Sequence, residues 1–168
     1  MVIYHGSNVV VLRPEILQGE RMLDFGTGFY ATSNKEQAIR WAERVAARRE
    51  SAVQIVSEYE YDSEAAEKEL IIIRFEEPNE EWLDFVCLNR SGGTLLQPYD
   101  IVCGPVADDD VYGTVLLYEQ GFLDKESAIR RFKVRKLYNQ ILFHSEKSLK
   151  YLRYVTHKIT GGAEGGTK

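Results

Sequence analysis

The chain has 168 residues, 44% hydrophobic and 28% charged, with a formal net charge of −5. That is the composition of a soluble globular domain, long enough to bury a core without metal or disulfide support. No apolar run exceeds four residues, which excludes a bilayer-spanning segment, and the net charge argues against a protein that coats nucleic acid. Two cysteines, Cys87 and Cys103, are too few for a disulfide scaffold or a four-ligand zinc site and read as reduced cytosolic thiols. A polar motif begins at His5, where a cleaved leader would still be running, so a cytoplasmic chain is expected.

The charge is unevenly spread. Residues 50–84 carry twelve Asp or Glu against two basic residues, and residues 121–158 carry ten Lys or Arg against three acidic ones. A basic C-terminal third suits either a solvated helix face or an anionic ligand.

In chain order, Val2–His5 reads as a short strand ended by Gly6-Ser-Asn8. The glycine-punctuated Asp24-Phe-Gly-Thr-Gly-Phe-Tyr30 leads into the clearest helix. Ser33 and Glu36 have capping-box spacing, and Ala38, Trp41, Ala42, Val45 and Ala46 then share one face, with Arg40, Arg44 and Arg48 away from it. Val53–Tyr61 and Leu70–Phe75 read as strands around a short acidic helix. Pro78 opens a helix holding Trp82, Phe85, Val86 and Asn89. Ile101–Cys103 and Val115–Tyr118 are strand candidates flanking the acidic loop 108–110. Asp124 caps a helix through Phe132, Val134–Phe143 reads as a strand, and Ser145 caps a last helix through Tyr154. Elements alternate without a regular βαβ beat, so residues 1–160 read as one α+β domain. Gly161-Gly-Ala-Glu-Gly-Gly-Thr-Lys168, with four glycines in eight residues, reads as a disordered tail.

Several signals are too weak to carry chemistry. Gly26-x-Gly28 lacks the third glycine and the frame of a dinucleotide fingerprint. His5, His144 and His157 have no partner at metal-ligand spacing, no nucleophile elbow is present, and Glu58-x-Glu60 reads as an exposed strand face. Three separated pieces stand out instead. His5-Gly6-Ser7 ends the first strand. Gly28-Phe-Tyr30 precedes a helix that sets Trp41 eleven residues after Tyr30. Leu137-Tyr-Asn-Gln140-Ile-Leu-Phe143 is a late strand, followed by Ser148-Leu-Lys-Tyr-Leu152.

Taken together and in this order, these pieces resemble the ADP-ribosyltransferase superfamily, in the His-Tyr-Glu branch shared by diphtheria-type toxins and poly(ADP-ribose) polymerases. The chain looks most like a bacterial family of unknown function, with which it shares the Asp24–Tyr30 string and Asp100-Ile-Val-Cys-Gly-Pro-Val-Ala-Asp108. The resemblance covers most of residues 2–155. It implies a split β-sandwich of two small sheets with flanking helices around an NAD cleft. It further implies His5, Tyr30 and Gln140 as the catalytic set and Gly6, Ser7, Phe29 and Trp41 as NAD-binding residues, with NAD as substrate and no metal.

The chemistry gives each residue a task. Breaking the bond between a pyridinium ring and a ribose carbon passes through an oxocarbenium-like transition state. Tyr30 and Trp41 would sandwich the nicotinamide ring, and the backbone N–H and C=O of Gly6 would hold its carboxamide. By resemblance His5 would bond the adenosine ribose, with Ser7 assisting, and Gln140 would reach the nicotinamide ribose. Each residue also has a plain packing role open to it: core aromatics for Tyr30 and Trp41, a turn cap for His5, a sheet-edge amide for Gln140.

Two positions depart from the family pattern. Gln140 stands where the superfamily carries glutamate; a neutral amide orients a ribose hydroxyl but cannot supply a carboxylate's charge, which points to transfer of a single ADP-ribose rather than chain growth. Ala38 stands where polymerase relatives often carry serine. The expectation is a mono-ADP-ribosyltransferase acting on NAD, with an NAD glycohydrolase or a non-catalytic NAD- or ADP-ribose-binding module as alternatives. The acceptor is open between protein, nucleic acid and small molecule, with no membrane partner. Arg130, Arg131, Lys133, Arg135 and Lys136 are candidates for steering the NAD diphosphate or an anionic acceptor, and Arg90 and the loop 108–110 are candidates for the site's border.

Overall fold

A computed structural model describes residues 1–16, 23–93, 98–106, 109–133 and 139–162. The strands are β1 (Val2–Ser7), β2 (Phe29–Ala31), β3 (Gln54–Tyr61), β4 (Ile72–Arg74), β5 (Ile101–Pro105), β6 (Asn139–Phe143) and β7 (Leu152–Gly161). The helices are α1 (Lys35–Arg48), α2 (Ser63–Glu69), α3 (Glu80–Arg90), α4 (Asp109–Glu119), α5 (Lys125–Lys133) and α6 (Glu146–Leu149). They form an α+β fold with two small sheets, ordered β1-β3-β7 and β2-β6-β5-β4. Every pairing is antiparallel except β4 with β5.

Strand alternation feeds two cores from the second sheet. Ile101, Ile141 and Phe143 point to the layer shared with Ile3, Phe29, Tyr59 and Tyr61 of the first sheet. Val102 and Leu142 point the other way, into a cluster with Trp82, Phe85 and Val86 of α3, Val111 and Val115 of α4, and Phe132 of α5. A third cluster seats Ala38 and Ala42 of α1 on Val56 of β3. A backbone bridge stitches the sheets, Tyr4 N–H to Thr32 C=O at 2.8 Å and Thr32 N–H to Tyr4 C=O at 3.0 Å.

Four elements differ from their sequence reading, each for a physical reason. Helix α1 is capped by Asn34, whose side chain accepts from Gln37 N–H at 3.0 Å, because Ser33 is engaged elsewhere, with Asn139. Val115–Tyr118 is not a strand but part of α4, where Val111 and Val115, one turn apart, are buried while Leu116 and Leu117 are exposed. A four-residue apolar run does not by itself distinguish the two. The acidic residues 109–110 begin that helix rather than form a loop, and 108 lies outside the described residues. Ser145 donates to Asp100 at 2.7 Å instead of capping, so α6 lasts four residues and the chain turns into β7.

The expected strand 134–143 is described from Asn139 on. The tail read from 161 lies outside the described residues beyond 162, and Gly161 itself ends β7. No helix among the described residues is long and apolar enough to cross a membrane.

Gly6 sets how closely α1 approaches β1. A Cβ there would lie 2.0 Å from the Ala38 carbonyl oxygen and 2.7 Å from the Ala42 nitrogen. Gly113, in the exposed middle of α4, has nothing within 4 Å of its Cβ direction. Gly6→Ala should therefore destabilise the protein by about 1–3 kcal/mol in urea unfolding, and Gly113→Ala should stabilise it by about 0.5–1 kcal/mol. A Gly6→Ala protein as stable as wild type would contradict this packing.

Candidate active site

One concavity of roughly 720 Å3 gathers His5 and Gly6 from β1, Tyr30 from β2, Trp41 from α1 and Gln140 from β6. That volume is within the range of small-molecule sites. Five of the seven residues singled out in the sequence thus share one cavity, drawn from positions as far apart as His5 and Gln140.

Strand geometry explains how each arrives. Tyr30 pairs with Leu142, and Leu142 lies two residues from Gln140 on the same face of β6, so Tyr30 and Gln140 present on one side of the second sheet. In an antiparallel ladder a residue's N–H and C=O point to the same side and alternate along the strand. Tyr4 directs both to Thr32, away from β3, so Gly6 directs both to that same outer edge, where the cavity lies. The glycine is required by α1, as shown above, while its backbone donor and acceptor face the cavity. Sequence reasoning took the missing side chain as room for a ligand; the packing of α1 already demands it.

His5 and Tyr30 hold each other. His5 Nδ1 lies 2.7 Å from the Tyr30 carbonyl oxygen and must donate to it, leaving Nε2 as an acceptor. Burial lowers the His5 pKa from its usual 6.5, partly offset by that bond, so the ring is neutral at pH 7. The Tyr30 hydroxyl donates to Gly26 C=O at 2.6 Å and accepts from Phe25 N–H at 3.3 Å, and burial, with Asp24 nearby, raises its pKa well above the usual 10. Tyr30 is therefore a fixed ring whose hydroxyl stays protonated near neutral pH. Positive φ at Gly26 (+86°) permits the turn that receives its hydroxyl.

Gln140 is 3% exposed, and its Nε2 is buried with no hydrogen-bond partner. A buried amide N–H without an acceptor is costly. The residue before it, Asn139, ties β6 to the start of α1: its carbonyl accepts from Thr32 Oγ1 at 2.8 Å, and its Nδ2 donates to Ser33 Oγ at 2.8 Å. This fixes the strand carrying Gln140 against the helix carrying Trp41. No ring contact joins Tyr30 and Trp41 among the described residues, although both line the cavity.

Phe29 and Ser7 are not in the lining. Phe29 is a core residue that packs 4.6 Å from the His5 ring and 5.6 Å from Tyr59, and so supports His5 from behind. Ser7 is buried opposite Ile55. The lining adds Leu23, Asp24, Arg44, Val45, Arg48, Val106 and Tyr112, and brings in Arg90. Arg44 and Arg48, read from the sequence as lying away from the Trp41 face, instead line the cavity beside Trp41 and Val45, because 41, 44, 45 and 48 follow helical spacing. Of the basic cluster 130–136, Arg130 is exposed and paired with Glu126 at 3.0 Å, while 135 and 136 lie outside the described residues. Burial pushes Cys103 up to about 11 and Cys87 up to about 12, so neither thiol is ionised at neutral pH.

A family model described as "Protein of unknown function (DUF3990)" matches residues 1–154. No curated protein and no solved structure matches the chain.

The His5 geometry has a pH signature. The folded imidazole binds its proton less readily than the unfolded one, so its contribution to stability is intact above pH 6.5 and is lost as pH falls below it. NMR of imidazole nitrogens, assigned through His5→Ala, should show His5 protonated at Nδ1 near pH 7 and titrating below 6.5. An Nε2-protonated His5 would contradict the bond to Tyr30.

Proposed function

The chain belongs to that DUF3990 family, and we propose that it is a mono-ADP-ribosyltransferase that cleaves NAD and transfers ADP-ribose to an acceptor. The observation that carries this reading is the convergence of His5, Gly6, Tyr30, Trp41 and Gln140 on one cavity. Packing alone has no need to gather the parts of a nicotinamide-ribose site in one place. The likeness to ADP-ribosyltransferases seen in the sequence supplies the reaction, and the two-sheet α+β fold accords with it.

In this reading the nicotinamide ring enters between Tyr30 and Trp41. A primary carboxamide offers one acceptor and two donors, which match the N–H and C=O on the free edge at Gly6. Tyr30 is held by its own hydroxyl bonds, so little ring ordering remains to be done when the ligand arrives. His5 Nε2 accepts a ribose hydroxyl. Gln140 turns its carbonyl oxygen toward the 2′-hydroxyl of the nicotinamide ribose, and Nε2 gains the acceptor it lacks from the bound dinucleotide.

The bond from C1′ to the ring nitrogen then breaks, its electron pair leaving with neutral nicotinamide. The acceptor's nucleophilic atom bonds to C1′ and releases its proton. The amide dipole of Gln140 steadies positive charge on the ribose less than a carboxylate would. A neutral residue at this position also favours a second reading, a module that binds NAD without turning it over.

Nicotinamide release by wild type, Gln140→Ala and Gln140→Glu at saturating NAD separates these readings. For a transferase, Gln140→Ala should cut turnover about tenfold or more with a smaller loss of NAD affinity. Gln140→Glu should keep or raise cleavage, and increasingly so as pH rises, because burial raises the carboxyl pKa and delays its ionisation. Release that requires added cell lysate identifies transfer; release without it identifies hydrolysis. A wild type that binds NAD but releases nothing is the module. Clear turnover left intact by Gln140→Ala would remove Gln140 from the site.

A further inference from the structure

Arg90, at the C-terminal end of α3, reaches the cavity in an unusual state. Its Nε donates to Asp24 Oδ1 at 2.7 Å, and its Nη2 donates to the same oxygen. Its guanidinium carbon lies 4.6 Å from the centre of the Tyr112 ring. Both members of the ion pair are largely buried, with 12% of the Arg90 side chain and 11% of the Asp24 side chain exposed. The third guanidinium nitrogen, Nη1, is buried and has no hydrogen-bond partner.

A guanidinium fixed on one edge by a carboxylate and on its face by an aromatic ring is a preorganised fork. Leaving its remaining N–H donors buried without an acceptor is expensive unless a ligand supplies one. The charge around it indicates which ligand. Among the described residues, Arg44, Arg48 and Arg90 line the cavity with Asp24 as the one acidic residue, and burial keeps His5 neutral at pH 7. The described lining residues therefore carry a formal excess of two positive charges within a protein of net charge −5. A dinucleotide's diphosphate carries two negative charges and offers oxygens suited to a guanidinium fork.

We propose that Arg90 is the diphosphate anchor of the cavity, with Asp24 and Tyr112 as the residues that position it and Arg44 and Arg48 supplying the surrounding positive potential. The assignment rests on the reading of the cavity as a dinucleotide site and gives that site its second half. Aromatic rings and Gly6 take the uncharged nicotinamide end, and Arg90 takes the charged centre. Asp24, which holds Arg90, lies beside Phe25 and Gly26, which hold the Tyr30 hydroxyl, so one short segment then serves both ends.

The test compares ligands that have the diphosphate with one that lacks it, by calorimetry on the full chain. Wild type should bind NAD, ADP-ribose and nicotinamide, and inorganic pyrophosphate should displace ADP-ribose. Arg90→Lys, which keeps a cation beside Asp24 but removes the fork, should weaken NAD and ADP-ribose binding about tenfold or more and leave nicotinamide binding unchanged. A parallel loss for all three ligands would make Arg90 a structural latch and overturn the assignment, as would unchanged ADP-ribose affinity. Should Arg90→Lys fail to fold, pyrophosphate that does not displace ADP-ribose from wild type would overturn it equally. A wild type that binds ADP-ribose through Arg90 but takes no nicotinamide would uphold the anchor while refuting the transferase reading.

Discussion

Helix α1 lies so close to β1 that position 6 admits no side chain, and the geometry of the cavity follows from that contact. Ala38 and Ala42 make the approach possible, being the smallest residues that still favour a helix. With α1 seated there, its next face, Trp41, Arg44, Val45 and Arg48, falls along the cavity. Because α1 covers Gly6 from one face of β1, the backbone N–H and C=O of Gly6 remain on the strand's outer edge. The bridge from Tyr4 to Thr32 uses that edge two residues earlier and stops there. One steric constraint thus places a helix, opens a pair of backbone groups and sets one wall.

The second sheet supplies the opposite requirement, a rigid support for buried polar groups. Gln140 directly precedes Ile141, Leu142 and Phe143, which feed two apolar layers, and Asn139 pins that strand to the start of α1. His5 and Tyr30 are each held by bonds to backbone, and Arg90 by Asp24. Two of these held groups, Gln140 and Arg90, retain a buried donor without an acceptor. Both line the same cavity, and a ligand that satisfied them would recover the cost of leaving them unpaired.

The separate motifs were legible in the sequence because they are local: a strand ending in His5-Gly6-Ser7, a helix with Trp41 on a regular face, a late strand through Gln140. The α+β class followed from the irregular alternation of those elements, and the expectation of two small sheets came from the family resemblance. Other features depend on contacts that local pattern does not contain. Thr32, Ser33 and Asn34 are three adjacent residues able to cap a helix, and Asn139, over a hundred residues away, decides that Asn34 does so. Ser145 looked like a cap until Asp100 claimed it, and β7 forms because β3 offers an edge for it to pair with. The Asp24–Arg90 pair joins positions 66 residues apart, so no spacing rule would have found it. The family resemblance put Phe29 in the site, yet strand alternation sends it to the core.

The central claim is that the cavity beside α1 holds the nicotinamide end of NAD against Trp41. The chain has two tryptophans, and the other, Trp82, is fully buried with its indole N–H donating to Pro105 C=O at 3.1 Å. Emission from Trp41 is therefore the direct probe of the site. On titration with NAD, the account predicts saturable quenching in wild type, reversed by excess nicotinamide and absent from a folded Trp41→Phe protein. Emission that stays unchanged while NAD is added, or quenching that survives Trp41→Phe, would contradict it.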